Sequence, residues 1–238
     1  MAALDKMLMR ALQISRLNAH GMIKGMFIQV NGVTVTNPKL SVLNTDTIKV
    51  TGVSNALVQI GQPLYYQVYH KPRGVECTLS AAISNSLFYC FEGLELYPVG
   101  RLDKDSEGLV LMTNDGRLYK AITTHDTIEK EYEVTVNRNI SDAELSQLAS
   151  GIEIMGSITL PAIVSRCGNS KFRIILKEGR NRQIRRMCYK LNLEVERLVR
   201  IRIHDLMIGD LNPGEFRNAT AGEIELLRSL YKHKFIGG

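Results

Sequence analysis

The chain has 238 residues, of which 45% are hydrophobic and 23% are charged, as is ordinary for a folded globular protein. No apolar run approaches membrane-spanning length and the N-terminus lacks the features of a signal peptide, so we expect a cytoplasmic protein without membrane contact. The four cysteines and five histidines show neither metal-ligand nor disulfide spacing, which predicts free thiols and no metal site.

The positive charge is concentrated in two regions. The net charge is +6, and residues 166–204 carry twelve Lys or Arg against three Glu, a local excess of nine. Residues 1–62 carry six basic residues against two Asp. The chain between these regions is neutral to acidic. Two basic regions with this distribution favour contact with a polyanion such as a nucleic acid.

The first sixty residues are predicted to form two short helices followed by a β-hairpin. Apolar residues recur at helical spacing between Leu4 and Leu12, and Ser15 is a good N-cap for a second helix. Asn31-Gly32, between two β-rich segments, is a strong hairpin signal. This order of elements, with its positive charge, resembles the alpha-L RNA-binding module. We assign residues 1–52 to this module and residues 53–63, which are rich in small and turn-forming side chains, to a linker.

Residues 64–238 are predicted to form a second domain containing both strands and helices. A strand over residues 65–70 ends at Lys71-Pro72-Arg73-Gly74, because Pro cannot donate to a β-ladder and Gly permits a turn. Lys71 and Arg73 on this turn are candidates for phosphate contact. Apolar and alternating patterns predict further strands near residues 109–112, 131–136, 160–165, 171–177 and 197–203, and capping boxes predict helices that begin at Ser141 and Thr220.

Residues 100–116, GRLDKDSEGLVLMTNDG, place Asp103 in a charged loop immediately before a buried strand. Loops held by rigid strands are common positions for catalytic residues. A calcium-binding loop is excluded because Asn114 stands at the twelfth position, where a bidentate Glu is required. A phosphotransfer Asp-x-Asp motif would follow a buried strand, whereas here the strand follows the motif. The remaining alternative is an acidic turn without a chemical role.

Two later segments supply an aromatic side chain and a set of cations. In residues 131–136, EYEVTV, strict alternation directs Tyr132 inward, where it is either a core residue or a platform for a base. Residues 179–191 are predicted to form a helix with one apolar side. Arginine, with its planar fork of donors, suits phosphate or a buried carboxylate. The cations on the other side of this helix are Arg182, Arg185, Arg186 and Lys190.

These residues limit the available chemistry. The sequence contains no metal-ligand set, no glycine-rich nucleotide loop and no Ser–His or Cys–His nucleophile signature. Cleavage of the glycosidic bond of a nucleoside leaves an electron-poor C1′, which a carboxylate can stabilise or attack; it can also take a neighbouring ribose proton. An aromatic ring, together with cations on the phosphates, is how proteins hold a nucleotide that has left its stack.

The sequence GRLDKDSEGLVLMTNDG is similar to the catalytic motif of the pseudouridine synthases that modify ribosomal RNA. KPRG at 71–74, KEYEV at 130–134 and EGRNRQIRRM at 178–187 follow in the order of that family's other motifs. The resemblance implies an α+β protein in which a mixed, mainly antiparallel sheet domain of the pseudouridine synthase fold follows the alpha-L module. It also implies isomerisation of uridine to pseudouridine in ribosomal RNA without a cofactor: the uracil is detached from N1, rotated and rejoined through C5.

The resemblance also implies roles for individual residues. Asp103 would be the catalytic aspartate, Tyr132 would stack on the uracil, and Arg185 would pair with Asp103. Arg101 would support the catalytic loop, and Leu198 would form an apolar wall near the base. The implied partner is ribosomal RNA or a ribosomal subunit precursor, bound by a monomer that needs no nucleotide cofactor. Further candidates for RNA contact are the cations Lys71, Arg73, Lys130, Arg182 and Arg186.

Two other functions fit part of the sequence. A non-catalytic RNA-binding or ribosome-assembly factor would use the same basic surfaces but would have no need of Asp103. A ribosomal RNA methyltransferase with the same N-terminal module would need a glycine-rich cofactor loop after a strand, and the sequence contains none. The methyltransferase is therefore the weaker of these two alternatives.

Overall fold

The computed structural model describes residues 2–12, 14–43, 46–51, 57–58, 64–92, 94, 96–115, 118, 122 and 128–232. The chain forms two compact units, Met1–Pro63 and Leu64–Gly238. The second unit begins at the residue where the sequence analysis starts the second domain. None of the helices within the described ranges is both long and apolar enough to cross a membrane.

The N-terminal unit contains two short helices and short strands. Helices α1 (Leu4–Leu12) and α2 (Arg16–Lys24) form as predicted, and the hydroxyl of Ser15 accepts a hydrogen bond from the backbone N–H of Asn18 at the start of α2 (3.2 Å). A hairpin turns at Asn31-Gly32, where both residues have positive φ. The strands are β1 (Ala2–Ala3), β2 (Ile28–Val30), β3 (Val33–Thr34), β4 (Ser41–Val42), β5 (Ile48–Val50) and β6 (Leu57–Val58).

Strand β6 changes the domain boundary that was drawn from the sequence. In the sheet with order β3-β2-β5-β6, it pairs antiparallel with β5, so part of the predicted linker 53–63 belongs to the N-terminal unit. A strand of two residues is too short to give a periodic pattern, which is why the composition of this segment indicated a linker. The other residues of 53–63 lie outside the described residues. The core of this unit includes the fully buried Leu8, Ile23 and Ile48.

The second unit is built on a nine-stranded sheet. The strands of this sheet are β7 (Tyr66–Lys71), β8 (Tyr97–Val99), β9 (Glu107–Thr113), β10 (Lys130–Val136), β13 (Ile163–Arg166), β14 (Lys171–Leu176), β15 (Val195–Ile203), β16 (Leu206–Met207) and β17 (Phe216–Asn218). Two further strands, β11 (Glu153–Ile154) and β12 (Ser157–Ile158), form a separate hairpin. The order is β13-β14-β10-β15-β9-β7-β17, with β16 on β15 and β8 on β9. Among the described strands only β9 and β15 pair in parallel, so the predicted mixed, mainly antiparallel α+β fold is confirmed.

Four helices of this unit have described bounds: α3 (Leu87–Cys90), α4 (Asp142–Ser150), α5 (Gln183–Lys190) and α6 (Ala221–Lys232). Both predicted capping boxes form. At α4, the Glu144 carboxylate accepts from the backbone N–H of Ser141 (2.8 Å), and the Ser141 hydroxyl accepts from the backbone N–H of Glu144 (3.2 Å). Thr220 and Glu223 make the equivalent pair of bonds at α6.

The centre of the sheet determines where a site can lie. All seven residues of β9 are buried, which makes this strand a rigid support for the loop that precedes it. Its parallel neighbour β15 separates it from β10. Helix α5 buries its apolar side, including Ile184 and Met187, in the core beneath β10 and β14, and directs its cationic side outward. The start of β9 and the start of α5 are therefore rigid supports between which a site can lie.

Candidate active site

A cavity of about 400 Å³ lies in the second unit near the start of β9. Its walls come from the loop before β9, from β10 and β15, and from the segment that leads into α5. The sequence-predicted site residues that line it are Arg101, Asp103, Tyr132, Arg182 and Leu198. Those that lie outside its lining are Lys71, Arg73, Lys130, Arg185 and Arg186.

Asp103 is the carboxylate of this cavity that has no protein partner. It is half-buried in the loop formed by residues 101–106, which we call the catalytic loop after the role that the resemblance implies for Asp103. Within the described ranges its carboxylate makes neither a hydrogen bond nor an ion pair. A charged oxygen that is partly removed from water and is not bonded by the protein is available to a bound substrate.

Hydrogen bonds to its main-chain carbonyl groups hold the catalytic loop in place. The three donor and acceptor pairs are Arg200 Nη1 with Arg101 O (3.3 Å), Gly74 N with Lys104 O (2.7 Å) and Arg185 Nη2 with Asp105 O (2.8 Å). The donors belong to β15, to the turn after β7 and to α5. Arg200 is only 3% exposed and also donates from Nε to Leu109 O in β9 (2.8 Å). Three separate elements therefore position the loop through its backbone.

Arg185 pairs with Asp105, which corrects the pairing with Asp103 that the family resemblance implied. Arg185 Nε lies 3.4 Å from Asp105 Oδ2, and Arg182 makes a bidentate pair with the same carboxylate (2.9 and 2.7 Å). The hydrogen bond from Arg182 is the main reason that the pKa of Asp105 is lowered. Burial lowers the pKa of Arg185, and the nearby charge of Asp105 opposes this shift. Asp105 thus binds both guanidinium groups, and Asp103 has no ion-pair partner within the described ranges.

The expected contact between Lys71 and phosphate is wrong. Lys71 is fully buried, and its ammonium donates to Pro72 O (2.9 Å) and Val75 O (2.8 Å). Burial lowers the pKa of this lysine. Lys71 therefore closes the turn whose Gly74 bonds the catalytic loop, and it cannot reach RNA. Arg73 on the same turn is exposed, with one donor bonded to Glu196 O (3.2 Å).

Tyr132 and Leu198 form the apolar part of the cavity. The register of β10 against β15 shifts between Glu131 and Tyr132, and such irregularities often redirect a side chain beside an active site. Tyr132 is half-buried, packs against two clusters of the core and also lines the cavity. Leu198 is 6% exposed. Tyr132 thus combines the two alternatives that the sequence left open, because it contacts the core with part of its ring and faces the cavity with the rest.

Of the other predicted RNA contacts, one is in the sheet and one is on a helix. Lys130 is half-buried at the start of β10. Arg186 is exposed on α5, where it donates to the backbone oxygen of Asn181 (3.0 Å) and to the side-chain oxygen of Asn181 (3.2 Å). These partners are neutral, so they leave the positive charge of Arg186 uncompensated.

Comparison with known proteins shows the family of the chain. The model of the family described as RNA pseudouridylate synthase matches residues 65–190, just over half of the chain. This chain belongs to the RNA pseudouridylate synthase family. Ribosomal small subunit pseudouridine synthase A of Escherichia coli (strain K12) is 32% identical over 228 residues, which are 93% of this chain and 97% of the relative.

Two further members of the family are similar over different lengths. Dual-specificity RNA pseudouridine synthase RluF of Shigella flexneri is 38% identical over 157 residues, which are 65% of this chain. The match covers 54% of RluF, so this chain spans about half the length of that relative. A crystal structure of pseudouridylate synthase has a TM-score of 0.65 and 27% identity, and the match covers 95% of this chain and 100% of that one.

Ser106 lines the cavity, and the sequence analysis did not select it as a site residue. Ser106 is 1% exposed and lines the cavity, yet its hydroxyl has no hydrogen-bond partner among the described residues. Buried hydroxyls are usually bonded, so that of Ser106 is free to bond a molecule that enters the cavity.

A second feature that was missed is a hydrogen-bond network around Glu178, which itself lines the cavity. Glu178 accepts hydrogen bonds from Leu160 N (2.8 Å), Gln183 Nε2 (2.8 Å) and Arg180 Nε (2.9 Å). Arg180 in turn donates to Ser157 and Ile158 of the β11–β12 hairpin. This network orders the segment that leads into α5. The charged run of the motif at 178–187 was the available signal, but it indicated RNA contact and not internal bonding.

Proposed function

We propose that this protein isomerises uridine in ribosomal RNA to pseudouridine, with Asp103 as the catalytic carboxylate and without a cofactor. The single observation that carries the proposal is the unpartnered carboxylate of Asp103 in the cavity of a member of the RNA pseudouridylate synthase family. The name of the small-subunit relative supports ribosomal RNA as the substrate.

The chemistry requires a carboxylate that stays charged and free. Breaking the bond between N1 of uracil and C1′ leaves an electron-poor sugar carbon, and Asp103 can stabilise it, attack it, or take a neighbouring ribose proton. Each of these three reactions needs a carboxylate oxygen that is not already hydrogen-bonded by the protein. Asp103 meets this requirement, whereas Asp105, two residues further along the same loop, is bonded by Arg182.

The other cavity residues suit a detached uracil. We assign Tyr132 to stacking on the face of the base and Leu198 to the opposite apolar contact, because a flipped base is commonly held between aromatic and apolar side chains. The unpaired hydroxyl of Ser106 is suited to bond a polar atom of the base or ribose. The base can then rotate while the apolar walls keep it beside C1′.

The hydrogen bonds to the catalytic loop give this arrangement its precision. Since Arg200, Gly74 and Arg185 hold the loop by its carbonyl groups, Asp103 does not have to be ordered when the substrate binds. In this proposal Arg185 is a positioning residue that acts through the catalytic loop, and it also places positive charge near Asp103. Arg101 contributes both its carbonyl to this support and its side chain to the cavity.

Affinity for RNA is assigned to the exposed cations and to the N-terminal unit. The helices and hairpin of that unit have the order expected of an alpha-L RNA-binding module. Phosphate groups supply most of the affinity of such proteins, so binding should weaken steeply with salt. The candidate phosphate ligands in the second unit are Arg73, Arg101, Lys130, Arg182 and Arg186.

The test is to map pseudouridine in ribosomal RNA from cells that lack the protein, before and after incubation with the purified full-length chain. We expect one or a few uridines to be converted by the parent protein. Asp103→Asn keeps the shape of the side chain but removes its charge, and should slow conversion by about 1,000-fold or more. Its thermal unfolding and RNA affinity should match those of the parent.

Asp210→Asn is the matched control, since Asp210 is exposed and has no hydrogen bond or ion pair within the described ranges. It should convert uridine at the parent rate. Conversion by Asp103→Asn at the parent rate would contradict the assignment of Asp103. Tight RNA binding without new pseudouridine from the parent protein would favour the alternative of a non-catalytic RNA-binding factor.

A further inference from the structure

A second concave surface lies on the outward side of α5. It has a volume of about 500 Å³ and is bounded on one side by the β11–β12 hairpin. We call this surface the α5 groove. Its lining residues are Ile154, Met155, Arg182, Arg185, Arg186, Tyr189 and Lys190.

The α5 groove has a strong excess of positive charge. Four of its lining residues are cations and none is acidic. Arg182 and Arg185 share the carboxylate of Asp105, but Arg186 has only neutral partners, and Lys190 makes no hydrogen bond or ion pair within the part of the chain that the structure describes. The charges of Asp105 and Asp103 act on Arg182 and Arg185, whereas Arg186 and Lys190 keep an excess of positive charge that favours an anionic ligand.

The cations on and next to β14 differ from those of the α5 groove in having acidic neighbours. Lys171 and Arg173 lie 3.2 and 3.7 Å from the carboxylate of Glu133, and Lys177 lies 3.9 Å from that of Glu129. Each of these three cations thus has an acidic neighbour on or next to β10. The chain contains carboxylates that can neutralise basic rows, and Arg186 and Lys190 have none.

Tyr189 gives the α5 groove an aromatic surface that the fold does not use. Its side chain is 79% exposed, whereas Met187 and Cys188 on the other side of α5 are completely buried. Met155, on the hairpin that forms the facing wall, is 64% exposed. A helix that already buries its apolar side gains little stability from an exposed tyrosine. An exposed ring beside unpaired cations is the combination that single-stranded nucleic acids bind, through stacking and phosphate contacts.

Arg182 connects the α5 groove to the cavity, because it lines both. A strand that leaves the cavity over Arg182 would therefore reach the α5 groove at the same residue. We propose that the α5 groove binds the single-stranded nucleotides that flank the target uridine, with phosphates on Arg186 and Lys190 and one base stacked on Tyr189. That the bound RNA is the substrate strand rests on the proposed function. The binding test below does not depend on it.

The test measures binding and not isomerisation, so that it stands even if Asp103 has another role. The probe is a fluorescent single-stranded oligouridylate, titrated with the full-length protein at low salt and followed by anisotropy. Tyr189→Ala should weaken binding by about 10-fold, because stacking on one base is lost. Tyr189→Phe keeps the ring and should bind like the parent. Arg186→Ala should reduce the slope of log affinity against log salt by about 0.7.

Two variants serve as matched controls. Tyr97 is also exposed, at 58%, but it lies opposite Thr113 at the end of β9 and lines neither the α5 groove nor the cavity of Asp103, so Tyr97→Ala should bind normally. Lys177→Ala removes a cation that already has a carboxylate neighbour and should leave the salt dependence unchanged. An oligoglutamate peptide of the same charge as the RNA should compete at least 10-fold less well, since it has no bases to stack.

Each contrary result would overturn the inference in its own way. Undetectable binding of oligouridylate by the parent protein, or parent-like binding by Tyr189→Ala, would remove the nucleotide site. Equal competition by oligoglutamate would instead indicate a protein partner with an acidic surface. Loss of binding in Tyr189→Phe would mean that the hydroxyl, and not the ring, makes the contact.

Discussion

Strand β9 has an aspartate near each end, and the two aspartates differ in burial and in hydrogen bonding. Asp103, before the strand, is half-buried and lacks a bonded partner within the described ranges. Asp115, after the strand, is 3% exposed, and its carboxylate accepts a hydrogen bond from the hydroxyl of Tyr66 (2.8 Å). The backbone N–H of Asp115 also donates to the hydroxyl of Thr113 (3.0 Å).

The difference separates a carboxylate that stabilises the fold from one that is available for chemistry. A buried charged group is tolerated where neighbouring groups bond it, as happens to Asp115. At the other end, the protein bonds the backbone around Asp103 and leaves the side chain free. Both aspartates stand in the same seventeen-residue motif, GRLDKDSEGLVLMTNDG. The comparison therefore predicts that substitutions at the two ends affect different properties.

The largest effect is expected at the catalytic end, from Gly108→Ala. Gly108 has a φ of +113°, and a Cβ there would lie 2.4 Å from the backbone oxygen of Arg200. The parallel contact between β9 and β15 would have to open, which moves the start of β9 and the catalytic loop. We expect the free energy of unfolding to fall by about 3 kcal/mol, measured by urea denaturation, and turnover of the folded protein to fall as well.

Gly209→Ala separates backbone strain from the steric clash. Gly209 also has positive φ, at +66°, but nothing lies within 4 Å of the position of its Cβ. This variant should lose only about 1 kcal/mol and keep the parent turnover rate. Equal losses in the two alanine variants would show that the contact of Gly108 with Arg200 does not support the catalytic loop.

The next largest effect is expected at the other end, from Asp115→Ala. This change leaves the buried hydroxyl of Tyr66 without its acceptor, which should lower the free energy of unfolding by about 2 kcal/mol. Turnover well below the unfolding temperature should stay at the parent rate. Asp103→Ala should give the reverse pattern, with loss of turnover and a stability within about 0.5 kcal/mol of the parent. If Asp115→Ala abolished turnover while remaining folded, the distinction between the two ends would be wrong.

Local patterns were sufficient for part of this site. The buried run of β9, the alternation of β10 and the apolar stripe of α5 follow from side-chain period. Asp103, Tyr132 and Leu198 were singled out by the family resemblance, and all three line one cavity. The burial of Lys71 could not be read in this way, because a cation on a Pro-Gly turn has the same sequence signal whether its side chain faces water or the core.

Long-range pairing is the other part that the sequence could not supply. The carboxylate of Asp105 and the guanidinium of Arg182 are 77 positions apart, and both Asp103 and Asp105 fit the requirement for an acidic partner of the helix. The choice depends on the angle at which α5 meets the catalytic loop, which is a property of the packed sheet. The strand at Leu57–Val58 was missed for a related reason, since only its neighbour β5 gives it a structure.

The smallest effect is expected from Asp105→Asn, which tests the support of the catalytic end through pH. The bond from Arg182 lowers the pKa of Asp105 from its ordinary 3.8. A carboxylate with a lowered pKa in the folded state contributes stability that is fully present above the ordinary value and is lost as the pH falls through the lowered one. Because the pair is partly exposed, we expect Asp105→Asn to cost only about 0.5 kcal/mol at neutral pH.

In urea denaturation, the free energies of unfolding of parent and variant should converge as the solution is acidified below the ordinary pKa of the carboxylate. Asp210→Asn should show no such pH-dependent difference. A gap between parent and Asp105→Asn that persisted in acid would mean that Asp105 acts through packing and not through its charge, and the electrostatic link between α5 and the catalytic loop would then have to be abandoned.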